Sequence, residues 1–145
     1  MRKLMPLRFP AGWAVIFNIF VEFPPEEPPT PAEIEAYFSE DILSAQRIAY
    51  TGDGWAVDMS ADVIDLGWYP SGNPDGTYRL CLVRDGWDDV PVRFEHRDCY
   101  IVQKALDTLM RMLSEGKRAT LIARVLADPR FLNVPPRPPL PPAPT

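Results

Sequence analysis

Apolar side chains alternate with other residues in the first part of the chain. Between residues 13 and 23 they recur at every second position: Trp13, Val15, Phe17, Ile19, Val21 and Phe23. This period of two predicts one long β-strand with a fully apolar face. Four prolines follow between residues 24 and 29. Because proline cannot donate to a strand ladder, we expect the strand to end near Phe23.

A helix start is encoded directly after these prolines. Residues 30–33 read Thr-Pro-Ala-Glu, a capping box with proline at the first helical position. The helix is expected to turn four side chains inward: Ile34, Tyr37, Phe38 and Leu43. Ser39 could begin a second helix, so the pattern is compatible with one helix or with two.

Turn-forming residues divide the middle of the chain into short segments. Glycine-containing turns at residues 52–54 and 71–76 bracket stretches of β-branched and aromatic residues. Residues 63–69 and 77–84 are predicted to form an antiparallel hairpin with a long loop. Residues 55–59 form either a further strand or an irregular connection.

The last part of the folded region is predicted to be helical. A turn at residues 85–89 leads to a short strand at 90–95, and Asp98 then caps a helix that ends before Gly116. The inward stripe of this helix is Val102, Ala105, Leu106, Leu109 and Leu113. A shorter helix is expected at residues 119–127, before an Asp-Pro pair.

The predicted order is one strand, a helix, three or four strands and two further helices. This order indicates an α+β fold, in which a mainly antiparallel sheet of four to five strands has two to three helices packed on one face. Residues 1–130 would form a single domain, and residues 131–145 a flexible proline-rich tail.

Charge is distributed unevenly along the chain. The net charge is -5, but residues 22–98 contain 17 acidic and 5 basic residues, whereas both flanking regions are weakly basic. An acidic body repels nucleic acid and attracts basic proteins. We therefore expect a basic protein partner and no nucleic acid.

The cysteines and the N-terminal apolar stretch indicate a cytoplasmic protein. Cys81 and Cys99 lie within apolar or helical patterns and not in a CxxC pair, as is typical of buried thiols in a reducing compartment. The stretch at residues 11–21 is interrupted by Asn18 and is followed by no small-residue cleavage site, so we interpret it as a strand and not as a signal peptide. It is also too short to cross a membrane.

Each of the four tryptophans follows a glycine, which commonly makes room for an indole at a turn or strand end. Trp87 differs because it lies among Asp85, Asp88 and Asp89 in a predicted loop. An exposed tryptophan surrounded by carboxylates would anchor a basic partner, and the alternative is a ring folded back on the sheet. We predict a partner-binding surface composed of Trp87, Asp85, Asp88, Asp89, Trp68 and Tyr69.

Candidate catalytic residues are few. His96 is the only histidine, and Cys99 is expected in the first turn of a helix, where the helix dipole would favour a thiolate. A separation of three residues does not fix a productive geometry, so a structural histidine near a helix cap is the favoured interpretation. There is no Gly-x-Ser-x-Gly motif, and we expect no catalytic residue.

Metal and nucleotide sites have little support in the sequence. Asp58, Asp62 and Asp65 are the closest acidic cluster, but no EF-hand spacing is present. One histidine and two cysteines exclude a structural zinc site, and no phosphate-binding glycine motif occurs. We expect no cofactor and no metal.

The tail has seven prolines within residues 135–145. This composition favours polyproline II structure. Two Pro-x-x-Pro motifs, at Pro138 and Pro141, are compatible with an SH3 ligand, but Arg137 is out of register with the usual basic position. We interpret the tail as a disordered terminus.

Residues 63–70, residues 75–83 and residues 94–110 together resemble the core of small bacterial immunity proteins that neutralise polymorphic toxins. The resemblance covers about residues 10–115 and includes no diagnostic motif. It implies a non-enzymatic inhibitor that binds a cognate toxin in a stoichiometric complex. Two alternatives are an accessory subunit of a larger assembly, which would use the apolar N-terminal strand and the tail, and an enzyme that would use Cys99 and His96.

Overall fold

The computed structural model describes residues 2–57 and 62–133, and these form an antiparallel sheet with helices packed on it. In chain order the elements are β1 (Trp13–Asn18), α1 (Pro31–Tyr37), β2 (Leu43–Tyr50), β3 (Trp55–Val57), β4 (Val63–Tyr69), β5 (Thr77–Arg84), β6 (Asp89–His96), α2 (Cys99–Ser114) and α3 (Ala119–Ala127). The main sheet order is β1-β2-β4-β5-β6, and β3 pairs with β2. The predicted α+β class is confirmed, with six strands in the described residues.

The hairpin of β4 and β5 forms the centre of the sheet. Its register pairs Val63 with Val83 at one end and Tyr69 with Thr77 at the other. Alternate residues on the helix-covered face are buried: Ile64, Leu66, Trp68, Tyr78, Leu80 and Leu82. The period of two that predicted these strands therefore also identifies the side chains that the helices cover.

The two C-terminal helices have the predicted bounds, and α2 has the predicted inner face. The Asp98 carboxylate accepts a hydrogen bond from the Tyr100 backbone N–H and so caps α2. All five side chains of the predicted stripe are buried: Val102, Ala105, Leu106, Leu109 and Leu113. Gly116 has a φ of 76°, the left-handed geometry that ends many helices.

The first strand is shorter than the sequence pattern predicted. β1 ends at Asn18, whose side-chain oxygen accepts a hydrogen bond from the Phe20 backbone N–H at 2.9 Å. This local turn and a register shift between Val15 and Phe17 change the phase of the alternation. Within β1 only Trp13 is buried; Val15 and Phe17 are exposed, whereas Phe20, beyond the strand, is buried.

The prediction that Leu43 belongs to the first helix is wrong. The capping box at Thr30 forms as predicted, but α1 ends at Tyr37, and Leu43 begins β2. β2 pairs with β1 on one side and with β4 and then β3 on the other. Strand partners on both sides outweigh the helix propensity of alanine, glutamine and arginine in this segment.

The described core extends beyond the predicted boundary at residue 130. Phe131 is buried and its ring packs against Phe94, with 5.8 Å between the ring centroids. The Lys104 ammonium donates to the Phe131 carbonyl and lies over the same ring, 4.4 Å from its centroid. Phe131 is therefore a core residue. The proline-rich residues 135–145 lie outside the described part of the chain.

Candidate partner-binding surface

Trp87 is presented by a tight turn between the last two strands. Asp85 and Gly86 both have positive φ angles, 48° and 65°, and the chain then makes one 3-10 turn before β6 begins. Arg84 faces Asp89 across the base of this turn. Such a short connection leaves little core for the indole to fold against, and the Trp87 side chain is 62% exposed. Of the two alternatives, an exposed loop tryptophan and a ring folded back on the sheet, this placement agrees with the first.

Two of the three carboxylates beside Trp87 have no cation partner among the described residues. Asp85, Asp88 and Asp89 are all exposed, and the nearest cation in sequence, Arg84, donates instead to Asp62 at 2.7 Å. Within residues 2–57 and 62–133, neither Asp85 nor Asp88 forms an ion pair or a side-chain hydrogen bond. The turn therefore carries a negative charge that is available to a partner.

A second exposed aromatic pair lies at the same end of the sheet. Tyr50 and Trp55 face each other across the β2–β3 hairpin, with 5.6 Å between ring centroids in an edge-to-face arrangement. Their side chains are 63% and 67% exposed. Asp53 lies in the turn between them, where it is exposed and forms no ion pair with another described residue.

Strand register places the two groups at one end. Gln46 pairs with Val63, and Val63 pairs with Val83, so these three residues form one row across the sheet. Beyond this row β2 continues to Tyr50, and β5 continues into the turn that contains Trp87. We call this end, with Tyr50, Asp53, Trp55, Asp85, Trp87, Asp88 and Asp89, the acidic aromatic end.

The structure does not bring all six predicted contact residues together. Tyr69 is six positions from Val63 along β4, which separates it from the row at the acidic aromatic end by about 20 Å. Tyr69 is half-buried and stacks with the Arg79 guanidinium at 4.2 Å. Trp68 is only 4% exposed, and its indole N–H donates to the Asn73 carbonyl at 2.7 Å. Trp68 is thus a core residue and offers no free surface to a protein partner.

The pair at Tyr50 and Trp55 was missed at the level of sequence. The turn signal at residues 52–54 is clear in the sequence, and an aromatic residue flanks it on each side. The strand that carries Tyr50 was not predicted, however, and so the pairing of the two rings was not predicted either. A glycine turn with an aromatic residue two positions before it and one directly after it is the signal that could have indicated the hairpin.

Cys99 and His96 have separate structural partners. The Cys99 thiol donates to the Phe23 carbonyl at 3.7 Å and accepts from the Phe23 backbone N–H at 3.4 Å. Burial raises the pKa of Cys99, which is opposite to what a nucleophilic thiolate requires. The His96 Nδ1 accepts from the Asp98 backbone N–H at 2.9 Å. These contacts agree with structural roles for both side chains.

The candidate acidic cluster does not converge on one point in the described residues. Asp62 is bonded to Arg84, and Asp58 lies outside the described residues. Asp65 lies on the sheet face opposite the helices, where burial and then the nearby Asp41 raise its pKa to about 6. Among residues 2–57 and 62–133, no group of three potential ligands could hold a metal ion.

Comparison of the chain with protein-family models, with curated proteins and with solved structures found no match. Within the described residues, no helix combines the length and the apolar character that a membrane crossing requires.

Proposed function

We propose that this is a non-enzymatic binding protein that contacts a basic protein partner through its acidic aromatic end. The observation that carries the proposal is the exposure of Trp87 beside Asp85 and Asp88, whose carboxylates have no ion-pair partner among the described residues. Large exposed aromatic side chains are costly to leave in water and are enriched at binding hot spots. Uncompensated aspartates around such a ring favour a partner that supplies lysine or arginine.

The two aromatic groups have complementary roles in this proposal. Trp87 is a single projecting ring, whereas Tyr50 and Trp55 form a preassembled edge-to-face pair. Rings held in place before binding lose little conformational entropy when a partner covers them. A few such anchors, each contributing about 2 kcal/mol, are sufficient to dominate an interface of ordinary size. The carboxylates then accelerate encounter and make it dependent on salt.

The partner class that we favour is a toxin neutralised by stoichiometric binding. Support comes from the resemblance of residues 10–115 to immunity proteins and from the acidic surface. The Cys99 thiol is also hydrogen-bonded within the fold, as is typical of a structural side chain and not of a nucleophile. An inhibitor of this kind needs a rigid scaffold and an exposed recognition surface, and no reacting group. The sheet supplies the first and the acidic aromatic end supplies the second.

A pull-down from the source lysate tests this proposal. Tagged wild-type protein, Trp87→Ala and the matched control Asp75→Asn, an exposed aspartate outside the acidic aromatic end, are compared at low and high salt. We expect a basic protein to be captured at low salt by wild type and by the control, and captured less by Trp87→Ala. The captured protein is then assayed for toxicity and titrated with the wild-type chain, with a one-to-one endpoint expected. Capture of no basic protein, or capture that is indifferent to salt, contradicts the proposal.

A second candidate function, an accessory subunit, is favoured by one observation on β1. β1 is at an end of the main sheet order, and its residues Val15, Ile16 and Phe17 are exposed. An apolar edge strand is suited to pairing with another chain. This candidate predicts a stable oligomer that Ile16→Lys dissociates. Light scattering that shows a monodisperse monomer for wild type would count against it.

A further inference from the structure

The sheet face opposite the helices carries a small cavity of about 260 Å³ next to β1. Strand register forms its floor, because Phe17 pairs with Ser44 and Ser44 pairs with Asp65 in one row across β1, β2 and β4. The Phe17 side chain is 44% exposed and contributes an apolar wall. Asp41 adds to the lining from the segment between α1 and β2. The cavity therefore brings one exposed ring together with two carboxylates and a hydroxyl.

The segment between α1 and β2 holds Asp41 at this cavity. Its backbone runs alongside β4, where the Ile42 N–H donates to the Leu66 carbonyl at 2.9 Å. A Cβ atom at Gly67 would collide with the Glu40 carbonyl, so the glycine permits the close approach of this segment. The backbone position of Asp41 is therefore set by the sheet.

The two carboxylates of the cavity have no cation partner in the described part of the chain. Neither the Asp41 nor the Asp65 carboxylate forms an ion pair or accepts a hydrogen bond within residues 2–57 and 62–133. The arginines on the same sheet face, Arg79 and Arg93, both bond to Glu95 instead, at 2.7 and 2.8 Å. Burial, and then Asp41, raise the pKa of Asp65 to about 6. A cation bound here would stabilise the ionised form of Asp65, which the fold alone disfavours.

A primary ammonium on an apolar stem matches this lining. An ammonium has three N–H donors, and the cavity offers three side-chain acceptors, on Asp41, Ser44 and Asp65. The stem of a lysine side chain packs against apolar surface while its charged end stays at polar groups, and a cation near the Phe17 ring is attracted to its face. A guanidinium is a planar fork and suits a flat bidentate site instead. Two carboxylates are also too few for a metal ion, since no group of three potential ligands occurs among the described residues.

The cavity adjoins the acidic aromatic end. Asp65 lies two positions from Val63 along β4, a distance of about 7 Å, and Val63 belongs to the row that borders that end. A basic protein bound at the acidic aromatic end therefore has this cavity within reach of its side chains. The charges are complementary, because such a partner supplies cations and the cavity supplies carboxylates without a cation among the described residues.

We propose that this cavity receives a lysine side chain of the basic partner, with the ammonium held between Asp41 and Asp65 and the stem packed against Phe17. The inference rests on the proposed function in one respect, since it takes the partner as the source of the lysine. The cavity itself shares no residue with the acidic aromatic end, so its chemistry is tested separately.

Titration of the full-length protein with n-butylammonium, an analogue of the lysine side chain, tests the cavity without the partner. At constant ionic strength we expect saturable changes in the NMR resonances of the Ser44 and Asp65 amides. Asp65→Asn should bind this probe about tenfold more weakly, whereas the control Asp75→Asn should bind it as wild type does. Equal affinities of wild type and Asp65→Asn, or no saturable change, would overturn the proposal. Tighter binding of n-butylguanidinium would overturn the assignment to lysine.

The pH dependence of this binding identifies the carboxyl that is responsible. Asp65 is faced by Asp41, by Tyr69 of its own strand and by Cys81 of β5, and none of these is a cation. Since protonation removes the charge of Asp65, the affinity of wild type for n-butylammonium should fall about five- to tenfold between about pH 7 and about pH 5. The fall should be absent in Asp65→Asn. An equal fall in both proteins would overturn the role of Asp65.

Carbodiimide cross-linking of the captured partner tests the source of the lysine, because this reagent joins a carboxylate to an amine in contact with it. We expect mass spectrometry to find Asp41 or Asp65 joined to a lysine of the partner. Capture that depends on Trp87 but gives no cross-link at either aspartate would overturn this inference and leave the proposed function standing. Capture of no basic protein would contradict the proposed function and the source of the lysine, while the n-butylammonium titration would still report on the cavity.

Discussion

The Arg84 guanidinium donates to the Asp62 carboxylate at 2.7 Å, and this ion pair holds the cation that is nearest in sequence to the Trp87 turn. Formation of the pair raises the pKa of Arg84 further above its ordinary value, so the guanidinium stays charged. Asp85 and Asp88 are thereby left without a cation among the described residues. The negative charge of the turn is therefore a consequence of how β4 and β5 pair, and not of sequence composition alone.

Removing the charge of this turn should slow association with a basic partner. In the double variant Asp85→Asn and Asp88→Asn, we expect the association rate at low salt to fall about tenfold and the dissociation rate to change little, because exposed charges act mainly on encounter. Stopped-flow or surface-plasmon measurements over a salt series provide the check. Asp75→Asn is the matched control and should retain wild-type rates. Equal rates for wild type and the double variant would show that these carboxylates do not steer binding.

Trp87→Ala should weaken binding and leave the fold unaffected. The side chain is 62% exposed, so its removal should change the free energy of unfolding by less than about 0.5 kcal/mol. If it anchors the interface, the affinity should fall by about 2 kcal/mol, which is about thirtyfold. Calorimetric titration and urea unfolding measure the two quantities. Ile16→Ala, an exposed apolar residue on β1, is the control, and a larger loss for this control than for Trp87→Ala would favour the accessory-subunit candidate.

Local sequence signals predicted most of the fold. The β4–β5 hairpin, the start of α2 at Asp98 and the bounds of α3 follow from alternation, capping and turn residues that lie within a few positions of each element. β2 was missed because its pairing partners, β1 and β4, are distant in sequence and decide its conformation. Trp68 was assigned to a surface for the same reason: its burial depends on Phe38, which is thirty positions away.

The candidate surface was predictable only in part. Residues 85–89 contain both the turn and the charges around Trp87. They are consecutive in sequence, so they lie together at one end of the sheet. Tyr50 and Trp55 lie at the same end because of the strand register, which the sequence pattern does not specify. Tyr69 lies at the other end of β4, far from the acidic aromatic end. Its position also depends on strand bounds and register, which the sequence pattern does not specify.

Ionisation of Asp65 should lower the free energy of unfolding as the pH rises from about 4 to about 6. Its pKa in the folded chain is raised to about 6 by burial and by Asp41, above the ordinary value of 3.8. The folded state therefore binds more protons than the unfolded state in this window, and stability that is fully present below it is lost across it. Allowing for solvent screening, the loss is about 1–2 kcal/mol. Asp65→Asn should be more stable than wild type above about pH 6 and should lack this part of the pH dependence.

Urea unfolding at about pH 4 and about pH 7 compares the two proteins. The difference between wild type and Asp65→Asn isolates this carboxyl from Glu33 and Asp128, whose pKa values are lowered to about 2 and whose contribution to the pH dependence is the same in both proteins. Asp75→Asn is again the control, with no pH-dependent difference expected. An unchanged difference between wild type and Asp65→Asn at the two pH values would contradict the prediction.

Cys99 should react slowly with alkylating reagents in the native protein. Its thiol is buried, bonds to the Phe23 backbone and has a pKa raised chiefly by burial, so both access and the thiolate fraction are low near neutral pH. Cys81 is also buried, and burial raises its pKa as well, so neither thiol should be labelled before unfolding. Mass spectrometry after timed exposure to iodoacetamide, with and without urea, distinguishes the outcomes. Rapid labelling of Cys99 alone in the native state would instead support an enzyme based on Cys99 and His96, because only an activated thiolate would react ahead of an equally buried cysteine.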